Sequence, residues 1–359
     1  MAITIPSTLK AVALKQIAFR CGISISGTKP ILTQRIQDEL PRITLPGADP
    51  SSATSKPLRI LSIDMGIRNF SYCLLEIPLP SKSPKNKRKS NPPIPILQSW
   101  QKLSLLPPAP PNTDPATKEK PRNEFTPAIL STAAYKLLRH TLLPLSPTHI
   151  LIERQRFRTH GAKQILEWTI RVNMLESMLW ATLKTLSEEK VWEGEVIEIA
   201  PRKVGTFWVE ESGLLDEEKG EEFKIVRNTT EVYARSKGAK IDLVRRWLEG
   251  GEKHKTQKHN EMVLIGSQQV QDIKERYTEK WDRKAGRANG NKPKSKSSPR
   301  SASDTAQKKR EKEIIKEKEE GMGKLDDLAD SLLQGMAWLK WQENRKLALE
   351  EGVEILLDY

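Results

Sequence analysis

Thiols, imidazoles and long apolar runs are all scarce in this chain. Two cysteines, Cys21 and Cys73, in 359 residues are too few for a disulfide framework or a thiolate zinc site. The five histidines are scattered, and none pairs with a cysteine at zinc-ligand spacing. No apolar run approaches the roughly 20 residues that cross a bilayer, so a soluble protein of a reducing compartment is expected, with no membrane partner. Acidic residues are missing from the start of the chain. The first is Asp38, preceded by Lys10, Lys15, Arg20, Lys29 and Arg35. A basic, acid-free, amphipathic start is shaped like an organelle transit peptide, but the apolar spacing within it favours a folded basic module.

What the chain has in excess is positive charge. Lys and Arg number 60 against 46 Asp and Glu, a formal net charge of +14. Such a balance suits a polyanionic partner, because neutralising phosphates releases condensed counterions. Charge alone does not separate nucleic acid from an anionic surface.

Two short helices are expected within residues 7–40. Leu9, Val12, Leu14, Ile17 and Ala18 recur at helical spacing, the run from Gly22 to Gly27 breaks the pattern, and Thr28 with Pro30 opens a second helix. Four prolines in 41–57 read as a linker. Strands are expected at 58–64, 70–77 and 96–105, then a helix at 127–143, a buried-type strand at 149–153 and a long helix at 162–186. A strand at 195–200, a short helix from Pro201, and helices at 240–248 and 324–346 complete the reading. Stretches near 78–95, 107–122 and 282–307 are rich in Pro, Ser and charge and are expected to lack structure. This order predicts an α/β protein whose mixed sheet of five strands is flanked by helices, with its first three strands antiparallel.

Chemistry concentrates in carboxylates. Asp64 closes an apolar strand in Ser62-Ile-Asp64, and Glu153 closes another in Ile150-Leu-Ile-Glu153. A carboxylate in such a place is unfavourable to bury unless a cation or hydrogen-bond donors meet it. If the two strands are parallel neighbours, both carboxylates emerge at one end of the sheet. Asp326, Asp327 and Asp330 crowd the start of the last helix, and spacings of three or four put either 327/330 or 326/330 on one face. Hard oxygen donors without a soft ligand favour Mg²⁺, with Mn²⁺ able to substitute. Singly, each carboxylate is as well explained as a capping or structural residue.

The segments ILSIDMGIRNFSYCLLE, ILIERQRFRT and DDLADSLLQGMAW resemble the three acidic motifs of the fungal mitochondrial Holliday-junction resolvases, relatives of bacterial RuvC within the RNase H-like superfamily. The helix–GISISGTKPIL–helix order resembles the SAP motif, a small DNA-binding module that also precedes the nuclease in that family. The resemblance runs from about residue 7 to 345. It implies a SAP-like module at 1–45, a linker at 46–57 and an RNase H-like catalytic domain at 58–350. By the same likeness Asp64, Glu153 and Asp330 match catalytic metal ligands, and the remaining one is Asp327 at a spacing of three or Asp326 at a spacing of four. It further implies a homodimer in the mitochondrion that makes paired cuts in four-way DNA junctions, with no small-molecule substrate. Two cations roughly 3.5–4 Å apart would drive the hydrolysis, leaving 5′-phosphate and 3′-hydroxyl ends. An RNase H-like nuclease for RNA–DNA hybrids or branched DNA, and a non-catalytic DNA scaffold, are the alternatives.

Candidate DNA contacts flank the carboxylates: Arg68 and Asn69 after Asp64, then Arg154, Gln155, Arg156, Arg158 and Lys163 after Glu153. Arg202 and Lys203 open a helix, whose N-terminus attracts anions. Lys240 and, in the N-terminal module, Lys29 complete the set. Phe157 and Phe207-Trp208 are candidates to stack on or wedge between bases, though core packing is the commoner use. The stripe from Ile165 to Leu186 reads as core, with a dimer seam as a second use.

Overall fold

The computed structural model describes residues 4–45, 57–79, 93–106, 125–155, 166–211, 230–249, 262–288 and 325–357. The helices are α1 (Ala11–Arg20), α2 (Lys29–Glu39), α3 (Pro127–Lys136), α4 (Glu167–Glu188), α5 (Pro201–Glu211), α6 (Thr230–Glu249), α7 (Gln268–Ala288) and α8 (Leu325–Glu351). The strands are β1 (Leu58–Asp64), β2 (Phe70–Ile77), β3 (Ile96–Leu103), β4 (His149–Glu153), β5 (Glu195–Ile199) and β6 (Leu264–Ile265). They form one mixed sheet in the order β5-β4-β1-β2-β3-β6. β1 pairs antiparallel with β2 and β2 with β3, while β4 runs parallel to both β1 and β5.

The sheet is covered on both faces, which is why its central strands are largely apolar on both. Alternation along β1 sends Leu58 and Ile60 to one face and Leu61 and Ile63 to the other. The first face packs on α5, α6, α7 and α8; the second on α3 and α4. Gly335 lets α8 approach closely, since a Cβ there would meet Leu75 Cδ1 at 2.9 Å and Ser62 Cβ at 3.2 Å. Next to it the buried Gln334 Nε2 donates to Ser62 Oγ and the Ile63 carbonyl, each at 3.1 Å. This amide fixes the helix over β1, immediately below Asp64.

The sheet has six strands, where the sequence predicts five. β6 is two residues long and pairs parallel with β3, too short to leave an alternating pattern. α7 is likewise unforeseen, and it extends through Ala288 into charged sequence expected to lack structure. Ser267 starts it by accepting from the Val270 N–H, and buried Val270 and Tyr277 anchor it. α6 begins ten residues earlier than the predicted position 240. The helix expected at 127–143 is α-helical only to Lys136, continuing as a π-helical turn over Leu137–Leu142 before Pro144.

The N-terminal helical pair forms as expected, but it does not stand apart. Leu14, Ile17, Leu32 and Ile36 share a core with Ala348 of α8 and with Val353 and Leu356 beyond it. Asn344 Nδ2 donates to the Arg20 carbonyl at 2.7 Å, and Arg345 Nε to the Cys21 carbonyl at 2.9 Å. Most of the expected linker, residues 46–56, lies outside the described residues. No described helix is long and apolar enough to cross a membrane.

Candidate active site

Register places the acidic residues. β1 and β4 are parallel, with Ile63 beside Ile152, so Asp64 and Glu153 leave adjacent strands at the same end. Both share the parity of the face that α8 covers, and α8 begins there with Asp326, Asp327 and Asp330 in its first two turns. Asp64 is sunk among these groups. Burial raises its pKa well above the ordinary carboxylate range, and Glu153, Asp330 and Asp327 raise it further, Glu153 also through a hydrogen bond. Asp64 therefore lies within electrostatic reach of three other carboxylates.

Asp327 acts on Asp64, while Asp330 and Asp326 both act on Tyr277, on α7. Lys102 Nζ donates to Asp327 Oδ2 at 2.6 Å, and Ser71 Oγ donates to the Asp327 carbonyl at 2.5 Å. Burial raises the Asp327 pKa, the Lys102 contact opposes that rise, and Asp326 and Asp330 add to it. Lys240 Nζ reaches Asp330 Oδ1 at 2.8 Å. Among the described residues, no three His, Cys, Asp or Glu side chains are grouped closely enough to hold a metal ion. The donor set, all carboxylate oxygen with surplus negative charge, nonetheless fits a hard divalent cation.

The basic residues divide by role. Arg68 lies 5.8 Å from the Phe125 ring centroid, beside Arg171 at 4.0 Å, and Asn69 is exposed. Arg154 pairs with Glu198 at 2.9 Å. The Gln155 backbone N–H donates to Glu176 Oε2 at 3.1 Å. Lys203 is turned inward, donating to the Gly22 carbonyl at 2.8 Å, with its pKa lowered chiefly by burial. Lys29 Nζ donates to the Ser7 carbonyl at 2.8 Å while remaining exposed. Arg156, Arg158, Lys163 and Phe157 lie outside the described residues, and Arg202 is placed only as far as the first turn of α5.

Phe207 and Trp208 are core, not wedges. Phe207 packs between Phe19 and Trp341, and Trp208 Nε1 donates to the Leu333 carbonyl at 2.9 Å. The α4 stripe of Val172, Leu175, Leu179 and Leu183 is likewise buried against the sheet. Lys102 and Ser71 were not singled out by sequence. The signal exists only in cross-strand register: Asp64 faces Ser71 and Ser71 faces Lys102.

A mixed sheet of this order, with carboxylates at the ends of two parallel neighbours beneath an acidic helix start, defines an RNase H-like protein. Within that class, the chain belongs to the family described as mitochondrial resolvase Ydc2 / RNA splicing MRS1, whose model matches residues 60–348. It is 30% identical over 206 residues to the mitochondrial cruciform cutting endonuclease 1 of Schizosaccharomyces pombe, covering 56% of this chain and 67% of that protein. It is 22% identical over 347 residues to the Saccharomyces cerevisiae protein of the same name, covering 93% of this chain and 82% of that one. The fold is similar to the crystal structure of the yeast mitochondrial Holliday junction resolvase Ydc2, with a TM-score of 0.51 and 21% identity over 98% of this chain and 99% of that chain.

Proposed function

We propose that the chain is a structure-selective endonuclease that resolves four-way DNA junctions by paired, symmetric, metal-dependent hydrolysis of phosphodiesters, leaving 5′-phosphate and 3′-hydroxyl ends. The observation that carries this reading is the meeting of Asp64, Glu153, Asp327 and Asp330 at one end of the sheet. Family membership supports it, and so do the relatives named as cruciform cutting endonucleases. The family description also covers an RNA-splicing protein, but a scaffold gains nothing from crowding acidic neighbours around a carboxylate as buried as Asp64.

Asp64, Glu153, Asp327 and Asp330 would hold Mg²⁺, with Mn²⁺ as substitute, because all their donors are hard oxygens. When bound, such ions supply Lewis-acid activation of water and neutralise charge on the leaving oxygen. The chain's part is to hold four oxygen donors on rigid elements: Asp64 and Glu153 through the strand ladder, Asp327 through Ser71, and Asp330 through α8 itself. Arg68, Asn69, Arg154 and Lys240 lie around this end of the sheet, where a strand backbone would pass. The module of α1 and α2 reads as a SAP-like DNA-binding surface fused to the same frame, with residues 1–45 and 58–350 as its two functional parts. Two identical sites matching the two-fold symmetry of a junction require a homodimer. The relatives' names place them in mitochondria, and the same location is proposed for this chain.

The test is incubation of purified protein with synthetic four-way, three-way and linear DNA, and with an RNA–DNA hybrid, with and without Mg²⁺. Paired cuts confined to the four-way substrate and to the Mg²⁺ arm are expected, and binding should weaken steeply with salt. Equal cutting of linear duplex would sink structure selectivity; binding without any cutting would favour the scaffold.

A further inference from the structure

Lys102 occupies an unusual place. It stands on β3 opposite Ser71, which stands opposite Asp64 on β1, so the three side chains form one row on the face that α8 covers. Its side chain is only 10% exposed. An ammonium so enclosed is unfavourable without a strong partner, and its Nζ meets Asp327 Oδ2 at 2.6 Å. The neighbouring Ser71 bond to the Asp327 carbonyl pins the backbone of the same residue. Backbone and carboxylate of Asp327 are thus held by two adjacent strands, independently of any cation.

Beside Lys102 a cleft of about 260 Å³ opens between β3, α7 and α8, lined by Gln101, Gln269, Asp272, Ile273, Arg276 and Leu328. Asp272 offers a carboxylate there. The ammonium therefore has an open, polar space next to it should it leave Asp327.

We propose that Lys102 is a positioning residue acting as a resident counter-charge: it holds the Asp327 carboxylate in the cation-free protein and competes with the divalent cation for it, so that it sets cation affinity. The idea rests on the reading of Asp327 as a ligand. A like-charged neighbour opposes cation binding, whereas in the cation-free protein the same neighbour relieves repulsion among the carboxylates. Removing Lys102 should therefore move two quantities in opposite directions, which a purely structural lysine would not do.

The experiment uses the full chain and MnCl₂ alone as probe, measuring calorimetric affinity and thermal melts for wild type, Lys102→Met, Lys102→Gln, Lys102→Arg and Asp327→Asn. Lys102→Met and Lys102→Gln should melt several degrees lower without cation, yet bind Mn²⁺ about tenfold more tightly, a change of about 1.4 kcal/mol, and gain more in melting temperature from it. Lys102→Gln keeps a hydrogen-bond donor, so it serves if Lys102→Met fails to fold. Lys102→Arg keeps the charge and should bind Mn²⁺ like wild type. Unchanged or weaker Mn²⁺ affinity in Lys102→Gln, with affinity lost in Asp327→Asn, would overturn the counter-charge and leave the site intact. Asp327→Asn binding Mn²⁺ as wild type does would instead overturn the site itself.

Discussion

Trp341 lies directly over Gly22: a Cβ added at residue 22 would meet the indole Cδ2 at 2.4 Å. Gly22 also has a positive φ of 65°, a conformation that a side chain disfavours. Gly22 therefore serves both as the turn between the first two helices and as their seat on α8. Replacing Gly22 with Ala should destabilise the protein by about 2 kcal/mol or more from strain and clash together. Chemical denaturation would measure this, and a wild-type midpoint would refute the seating.

Removal of residues 1–45 tests how separable the module is. A tethered arm could be cut away with loss of DNA affinity alone. Here Ala348, Val353 and Leu356 lose the apolar partners that bury them, and Arg345 loses its carbonyl acceptors at Cys21, Glu39 and Arg42. The truncated protein should therefore melt several degrees lower as well as bind junctions more weakly. An unchanged melting curve would show that the shared core carries little stability.

Asp64→Asn and Glu153→Gln should abolish cutting while leaving junction binding largely intact. A raised carboxyl pKa means that the folded state resists ionisation, so Asp64 detracts from stability once pH exceeds its unfolded value near 3.9. Asp64→Asn should then raise the metal-free melting temperature at pH 7. Asp327→Asn should lose cleavage and Asp326→Asn should keep most of it, since Asp327 is among the charges acting on Asp64. Gel shifts, cleavage rates and melts on the same preparations decide this; the reverse order for the last pair would make 326 the ligand.

His149 gives a pH test away from the carboxylates. Burial lowers its pKa to about 4, despite Glu195 at 3.5 Å, because that carboxylate is largely exposed and screened. The neutral ring accepts or shares a proton with Thr148 Oγ1 at 2.9 Å and packs 5.6 Å from Trp338. Above pH 6.5 this contribution to stability is complete. As pH falls from 6.5 to 4 the unfolded chain takes up a proton that the folded one refuses, a loss approaching about 3 kcal/mol. Urea midpoints at several pH values should show that loss in wild type and a smaller one in His149→Gln; parallel curves would reject it.

Assembly can be tested on α4. Its core stripe faces the sheet, but Leu166, Trp168 and Ile170 remain exposed, at 62%, 44% and 45%. Ile170→Glu should yield a folded protein that stays monomeric and nicks one strand instead of making paired cuts. Light scattering and strand-resolved cleavage read this out. A wild type that is monomeric at concentrations where it makes paired cuts would defeat the dimer.

The carboxylates at strand ends were legible because Asp64 and Glu153 close largely apolar runs, whereas the parallel pairing of their strands comes from the register itself. The choice between Asp326 and Asp327 was not legible, since both spacings suit one helix. The paired Asn substitutions decide between them. Lys102 was invisible for a related reason: its partner is 225 positions away, and only pairing across two strand junctions reveals that they share a row. Lys203 and Lys29 looked like phosphate contacts by charge and position, yet their ammonium groups meet backbone carbonyls. α7 was lost in a charged stretch because Val270, Ile273 and Tyr277 are too sparse to mark a face without the groove they fill.

α8 carries Asp327 and Asp330 of the candidate site in its first turns and the seat of the N-terminal module near its last, so one helix serves both. During synthesis the sheet can emerge and pair long before residues 325–357 leave the ribosome. Until they do, Asp64 and Glu153 have no Asp327 or Asp330, α1 and α2 have no Trp341 to rest on, and Ser62 has no Gln334. An incomplete chain would thus carry the strands of a nuclease without its competence to cut. Because residues 325–357 follow every strand of the sheet in the sequence, the candidate site is completed only after the strands have been made.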